Sequence, residues 1–287
     1  MDYAATVGIQ VLSSVAMLVL ISLGLAVIFG MMRIINIAHG EFLMFGAFAV
    51  VLSVKAGVNF WISVLLIAPA VAGLLGAAVE RLVLWRLYGR MADTLLATWG
   101  LSLFIVGAVT AVVGTTVEGV SPPLGQLSIG SYNVAWYSVV LIVAALTLLA
   151  AAFAVLRGTK WGLLARGAMQ DPQMAAALGV STARLYTVTF AVGAALSGLA
   201  GGLLAPLVGV VPTMGTALVA KAFITVVGGG AAVIGGTAAA AAIFGTVSEG
   251  VTLVTNSVWG EVAMLVAAVL LLRIFPEGIS GSRGGRR

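Results

Sequence analysis

The chain has 287 residues, 62% of them hydrophobic and 8% charged, with a mean hydropathy of +1.20. A soluble domain carries roughly 25% charged residues, so water is not the main solvent of this chain. The net charge of +5 does not mark a nucleic-acid binder, because the basic residues stand between apolar runs and form no soluble basic domain. With no cysteine and His39 as the single histidine, disulfides and thiolate metal sites are excluded and no structural zinc site is expected.

The first apolar run, Val7 to Met32, follows Met1-Asp2-Tyr3-Ala4-Ala5-Thr6, which lacks the basic start and small-residue cleavage site of a secretory signal peptide. It is read as a retained span. Further spans are expected at Ile37 to Val54, Trp61 to Leu84, Thr94 to Val113 and Trp136 to Leu156. After a polar stretch come Leu185 to Val208, Thr216 to Val227, Ile234 to Val254 and Glu261 to Ile274. The runs are continuously apolar, without the alternation of a transmembrane β-barrel. The prediction is an all-α, polytopic transmembrane helical bundle of about eight or nine spans, forming a single domain over residues 1–287. The count is nine if Gly228-Gly229-Gly230 is a turn and eight if it marks a re-entrant segment. Abundant glycine and alanine, as in the Gly198 to Gly202 spacing, predict tight helix packing. Ser121-Pro122-Pro123, Pro206, Pro212 and Gly228 to Gly230 are either ordinary loops or breaks in helices that line a path.

Arg81, Arg86 and Arg90 cluster in one loop, and Arg157, Lys160, Arg166 and Arg184 in another, so both are expected to be cytoplasmic. Arg33 agrees, as does a tail carrying Arg283, Arg286 and Arg287. The loop from Gly114 to Ala135 holds Glu118 and no lysine or arginine, which puts it outside, with the N-terminus. Lys55 is a mild exception that can snorkel from a helix end.

Within the cytoplasmic loop of about residues 157–184, Asp171 suits a helix N-cap, Pro172 the first helical position and Gly179 a left-handed C-terminal cap. They predict a short helix from Pro172 to Leu178, on which Met174 and Leu178 share one apolar face. That face suits a protein partner or the membrane interface; otherwise the segment is a capped connector.

His39 and Glu41 lie two apart on a helix and point to different faces, so they form no catalytic dyad. Asn36 is expected to cap the second span, with His39 and Glu41 in its first turns, as interfacial anchors or as groups at the inner mouth of a pore. Glu249 is read as the one carboxylate well inside a span. No HExxH motif, Walker A loop or convergent catalytic constellation is present, so no catalytic residue and no cofactor is assigned to the chain.

The segments Ala165-Arg166-Gly167-Ala168-Met169-Gln170-Asp171-Pro172-Gln173-Met174-Ala175-Ala176-Ala177-Leu178-Gly179 and Phe190-Ala191-Val192-Gly193-Ala194-Ala195-Leu196-Ser197-Gly198-Leu199-Ala200-Gly201 resemble the coupling region of branched-chain amino-acid ABC permeases of the LivH type. Ile35-Asn36-Ile37-Ala38-His39-Gly40-Glu41-Phe42 is similar to a hallmark of the same family, and Thr98-Trp99-Gly100-Leu101-Ser102 and Ala222-Phe223 to Val227-Gly228-Gly229 match further. The resemblance implies a pore subunit of a bacterial inner-membrane importer, embedded in membrane lipid. Its implied partners are a second homologous permease, two cytoplasmic ATPase subunits and a periplasmic solute-binding protein. Hydrophobic amino acids are the usual cargo, and relatives move urea, short amides or other small solutes. By this resemblance Arg166, Asp171, Pro172, Met174, Leu178 and Gly179 couple to the ATPases, and Asn36, His39, Glu41, Thr98 and Ser102 are candidates for the translocation pathway. Trp99 departs from the family pattern, to alter cargo fit or simply to face lipid. The competing class is a stand-alone secondary transporter or channel, which has no use for a capped cytoplasmic helix and places coupling carboxylates in mid-span.

Overall fold

The computed structural model describes residues 2–130, 132–230 and 232–281. In chain order they form α1 (Asp2–Met32), α2 (His39–Lys55), α3 (Phe60–Ile62), α4 (Ala68–Leu82) and α5 (Met91–Val113). A hairpin of β1 (Gln126–Ile129) and β2 (Tyr132–Ala135) precedes α6 (Trp136–Gly158), α7 (Lys160–Gln170), α8 (Pro172–Ala177) and α9 (Thr182–Leu204). The series closes with α10 (Met214–Gly229), α11 (Val233–Val254) and α12 (Ser257–Ile274). Seven helical runs among the described residues are long and apolar enough to cross a membrane, α10 is a shorter apolar helix, and α2 has 17 residues.

The apolar run from Phe60 to Arg86 is not one regular helix. Pro69 has no amide hydrogen to return to the preceding turn, and ahead of it Ser63–Ile67 widens into a π turn in which the Ala68 amide reaches back to Ser63. Two regular elements were not anticipated. One is the hairpin inside the Gly114 to Ala135 loop, whose strands pair antiparallel from Gln126 opposite Ala135 to Ile129 opposite Tyr132. The other is α7, which gives the loop of about residues 157–184 two helices and not one.

The chain divides into two compact units. The first holds the residues up to Ser22, Pro122–Ala150 and those from Lys221 onward. Here α11 packs against α12, where Gly260 abuts the Ser248 carbonyl and the Thr252 side chain, and Asn256 caps α12 by accepting from the Trp259 amide at 3.1 Å. Gly228 and Gly229 end α10, and Gly230 turns the chain with φ +78°, so the triple glycine is a helix end followed by a left-handed turn. The carbonyls left open there are taken by the returning C-terminal segment: Ile279 N–H donates to Gly228 O at 2.9 Å and Ser280 N–H to Gly229 O at 3.1 Å. The strap thus supplies partners for carbonyls that the end of α10 leaves open. Arg283, Arg286 and Arg287, used above for orientation, lie outside the described residues.

The second unit comprises Leu23–Ser121 and Ala151–Ala220. At its centre α9 packs along α2 and α4. A β-carbon on Gly46 would overlap the Gly198 carbonyl, and one on Gly201 would overlap the Leu43 carbonyl, so the helices touch backbone to backbone. Phe42 and Phe190 lock the same contact edge to face, with centroids 5.8 Å apart. The expected tight packing at Gly198 and Gly202 is present, against Ala68, Ala72 and Val50.

At one end of this unit Lys55 forms an ion pair with Glu118, whose backbone exchanges hydrogen bonds of 2.9 and 2.8 Å with Val210. Lys55 is therefore matched by the acidic residue of the neighbouring loop, and needs no snorkelling. Pro206 and Pro212 stand in the connection between α9 and α10, and Pro122 and Pro123 in the loop before the hairpin; neither pair interrupts a helix. At the other end Arg81, Arg86 and Arg184 line one cleft, so the two basic loops share a side, as a common cytoplasmic face requires.

Solvent preference is inverted on α5. Its buried stripe is Thr94, Thr98, Ser102 and Ile105, while Leu96, Trp99, Leu103, Phe104 and Val112 are exposed. A helix that turns threonine inward and leucine outward is at home in lipid. Trp99, 52% exposed, belongs to that outer face and points away from the buried stripe.

The α2–α9 contact predicts a sharp contrast between glycines. Gly46→Ala is expected to lower the thermal midpoint of the detergent-purified protein, with an overpacking cost of about 1–3 kcal/mol because carbonyl backbone cannot yield as a side chain does. Gly107→Ala, on α5 with open space at its β-position, is expected to leave the midpoint unchanged or slightly raised.

Candidate functional site

The first candidate region is α7–α8. Asp171 caps α8 as the sequence implies, its carboxylate accepting from the amides of Gln173 and Met174, both at 2.9 Å. The helix stops one residue earlier than expected, at Ala177, with Leu178 as C-cap. Gly179 then takes φ +87°, donating to Ala176 O at 2.9 Å, while Val180 N–H reaches Ala175 O at 3.0 Å. These are the paired bonds of a Schellman cap, with its apolar contact: Ala175 and Val180 join a cluster with Val27, Met31, Ala165, Ala168 and Leu185. The cap thus fastens α8 to α1, α7 and α9. Met174 and Leu178 are left outside, 58% and 78% exposed. Arg166, on α7, is half-buried, and its Nη1 atom is enclosed without a hydrogen-bond partner.

The second region is a polar cluster around the start of α2. Asn36, His39 and Thr98 are 0% exposed, Glu41 1% and Ser102 4%. Glu41 Oε1 accepts the Ser102 hydroxyl at 2.8 Å, while Oε2 is buried without a partner. His39 turns the other way, with Nδ1 3.3 Å from Ser197 Oγ. The Ser197 hydroxyl donates to Gly193 O at 2.8 Å, so its oxygen is left to accept from Nδ1–H. His39 and Glu41 therefore diverge, as their spacing requires.

Asn36 does not cap α2. Ala38 is the N-cap residue and offers no side chain, and the Asn36 backbone carbonyl receives the His39 amide at 3.3 Å. Thr98 on α5 instead holds the segment ahead of the N-cap residue, its Oγ1 accepting from the Ile37 amide at 3.2 Å and donating to Leu95 O at 3.1 Å. The Asn36 amide is left buried with neither its oxygen nor its nitrogen hydrogen-bonded. Thr98, Ser102 and Glu41 are thus drawn together by α2 and α5, Ser197 joins through His39, and the set is sealed from solvent in this conformation.

Glu80 was missed as a buried carboxylate. It lies in α4, is 1% exposed, and accepts from the Tyr88 hydroxyl and from Thr187 Oγ1 at 2.6 Å for the latter. Burial, and then the adjoining carboxylate, push the Tyr88 phenol above its ordinary range, which keeps it a hydrogen-bond donor. Glu249 is therefore not alone among carboxylates within spans. The pattern that reveals Glu80 is a single acidic residue beside Arg81 at the end of an apolar run. Among the described residues no group of three or more histidines and carboxylates is arranged to hold a metal ion.

A family model described as "Branched-chain amino acid transport system / permease component" matches residues 8–275. The chain is 29% identical to the high-affinity branched-chain amino acid transport system permease protein LivH of Salmonella typhimurium, over 91% of this chain and 90% of the relative. It is 27% identical to a probable LivH of Methanocaldococcus jannaschii, over 92% and 89%, and 25% identical to BraD of Pseudomonas aeruginosa, over 91% of each. No solved structure matches the chain.

Because Ser102 is the hydrogen-bond partner of Glu41, Ser102→Ala is expected to cost about 1–3 kcal/mol by leaving both carboxyl oxygens unpartnered in the interior. Glu41→Gln retains an acceptor for Ser102 and is expected to cost less. Thermal midpoints of the two variants in the same detergent measure the order.

Proposed function

We propose that this chain, which belongs to the family of branched-chain amino acid transport permease components, forms one half of the pore in an ATP-driven importer of hydrophobic amino acids or a related small solute. The observation that carries the reading is the family match over residues 8–275 together with a cytoplasmic-type helix whose apolar residues are exposed. The remaining parts are a second homologous permease, two ATPase subunits in the cytoplasm and a periplasmic binding protein that selects the cargo. The chain sits in the bacterial inner membrane, crossing it about nine times if α2 and α10 are counted with the seven longer runs. Its N-terminus is then periplasmic, and the α7–α8 segment cytoplasmic.

In this reading α8 is the lever. Arg166, Asp171, Pro172, Met174, Leu178 and Gly179 belong to the element that meets the ATPases. Its caps make it rigid, Ala175 anchors it to α1 and α9, and Met174 with Leu178 enters a groove on the partner. A stroke delivered there is passed to α9, which also carries Ser197 of the polar cluster. Asn36, His39, Glu41, Thr98 and Ser102 are the groups that such a movement exposes to the pathway. In a stand-alone transporter the same capped helix, with its outward apolar side chains, has nothing to meet.

Orientation is open to direct test, since the chain has no cysteine of its own. A cysteine at Gly89 is expected to be blocked only by a membrane-permeant thiol reagent and one at Gly125 to react from outside; labelling of the Gly89 site from the periplasm overturns the topology. For the lever, the double variant Met174→Asp, Leu178→Asp is expected to insert and fold normally but to lose co-purification with the ATPases and at least about tenfold in uptake, as charge enters an apolar dock. Full uptake by an intact complex of that variant removes the assignment.

A further inference from the structure

Where α4 ends and α9 begins, a cleft of about 540 Å³ opens between Glu80, Arg81, Leu82, Trp85, Arg86, Ala183, Arg184 and Thr187. We infer that this cleft holds the phosphate group of an anionic phospholipid from the leaflet on the side of the basic loops. The inference does not depend on the cargo or on the ATPase partnership.

Three guanidinium groups converge here, and among the described residues none of Arg81, Arg86 and Arg184 is in an ion pair. Arg86 lies over the Trp85 ring, 4.9 Å from its centroid, a cation–π contact that holds the guanidinium at the cleft. The buried carboxylate at the floor is already engaged by Tyr88 and Thr187, so it shapes the cleft without consuming the arginines. A planar guanidinium fork matches phosphate oxygens two at a time, and the surplus of positive charge asks for an anion.

The rim shows which anion. Leu82 is 74% exposed and Trp85 51%, both beside the arginines at the end of the Phe60–Arg86 span. Apolar and indole side chains next to basic ones, at the level where a span leaves hydrocarbon, fit a ligand whose phosphate is followed by acyl chains. A free phosphate makes no use of Leu82. An acidic protein surface would meet the arginines but gives Leu82 and Trp85 no acyl chain to lie against.

The test uses the full chain, purified and stripped of lipid, with thermal midpoint and native mass spectrometry as readouts. Phosphatidylglycerol is expected to bind about tenfold more tightly than phosphatidylcholine and to raise the midpoint, and Arg81→Gln with Arg184→Gln is expected to reduce its effect to that of phosphatidylcholine. Arg273→Gln, on α12, is the control expected to change nothing. Equal binding of the two lipids overturns the inference, as does an unchanged preference in the double variant. Stabilisation by inorganic phosphate equal to that by phosphatidylglycerol reduces the cleft to a simple anion site. Loss of ATPase co-purification in the double variant with lipid preference intact makes the arginines a protein contact instead. Should the double variant fail to fold, wild-type protein in nanodiscs decides: phosphatidylglycerol, and not phosphatidylcholine, is expected to shield Arg184 from an arginine-specific reagent.

Discussion

Where α2 crosses α9, the Gly198 carbonyl occupies the place that a β-carbon on Gly46 would need, and most of the second unit is arranged around that contact. Lipid gives no hydrophobic drive for two apolar helices to associate, so they are held by close packing, which requires the smallest residues at the crossing. Once α9 is seated there, its other side chains have fixed neighbours. Thr187 reaches Glu80, Phe190 meets Phe42, and Ser197 meets His39. Leu185, near its start, packs in the cluster that anchors α8. One helix thereby links the exposed α8, the basic cleft and the buried polar cluster.

The same surroundings explain the reversal of polarity on α5. Hydrocarbon accepts Trp99, Leu103 and Phe104 on the outside and rejects Thr94, Thr98 and Ser102, which turn inward to α2 and to local carbonyls. Buried polar groups in such a bundle have few partners, and each orphan is then costly. Asn36 and one oxygen of Glu41 are orphans in this conformation.

Much of this was legible in the chain of residues, and the exceptions have physical reasons. The long apolar runs and the caps at Asp171 and Gly179 announce themselves because their signals are local. The inward stripe of α5 was also present, as polar residues every four positions, yet its meaning depended on α2 as its neighbour. Asn36 illustrates the limit: by type it suits a cap, but α2 starts later, with Ala38 at the N-cap position, and Thr98, distant in sequence, holds the Ile37 amide between them. The hairpin had a signal in the Gly130-Ser131 dipeptide between alternating residues, weak beside the apolar runs. Likewise the π turn was implied by Pro69 inside a span, and Lys55 made sense only once Glu118 was seen beside it.

An exposed helix and a buried polar cluster share α9 in a chain of the branched-chain amino acid permease family. The function proposed for it is conduction of solute in response to ATP hydrolysed elsewhere. The most direct measurement places the purified chain, its partner permease and the ATPases in vesicles, with the binding protein outside, and follows a labelled branched-chain amino acid. Accumulation is expected only with ATP available to the ATPases and with the cargo-loaded binding protein present, with faster ATP turnover on its addition. Accumulation by vesicles that contain this chain alone, driven by an ion gradient without ATP, would contradict it.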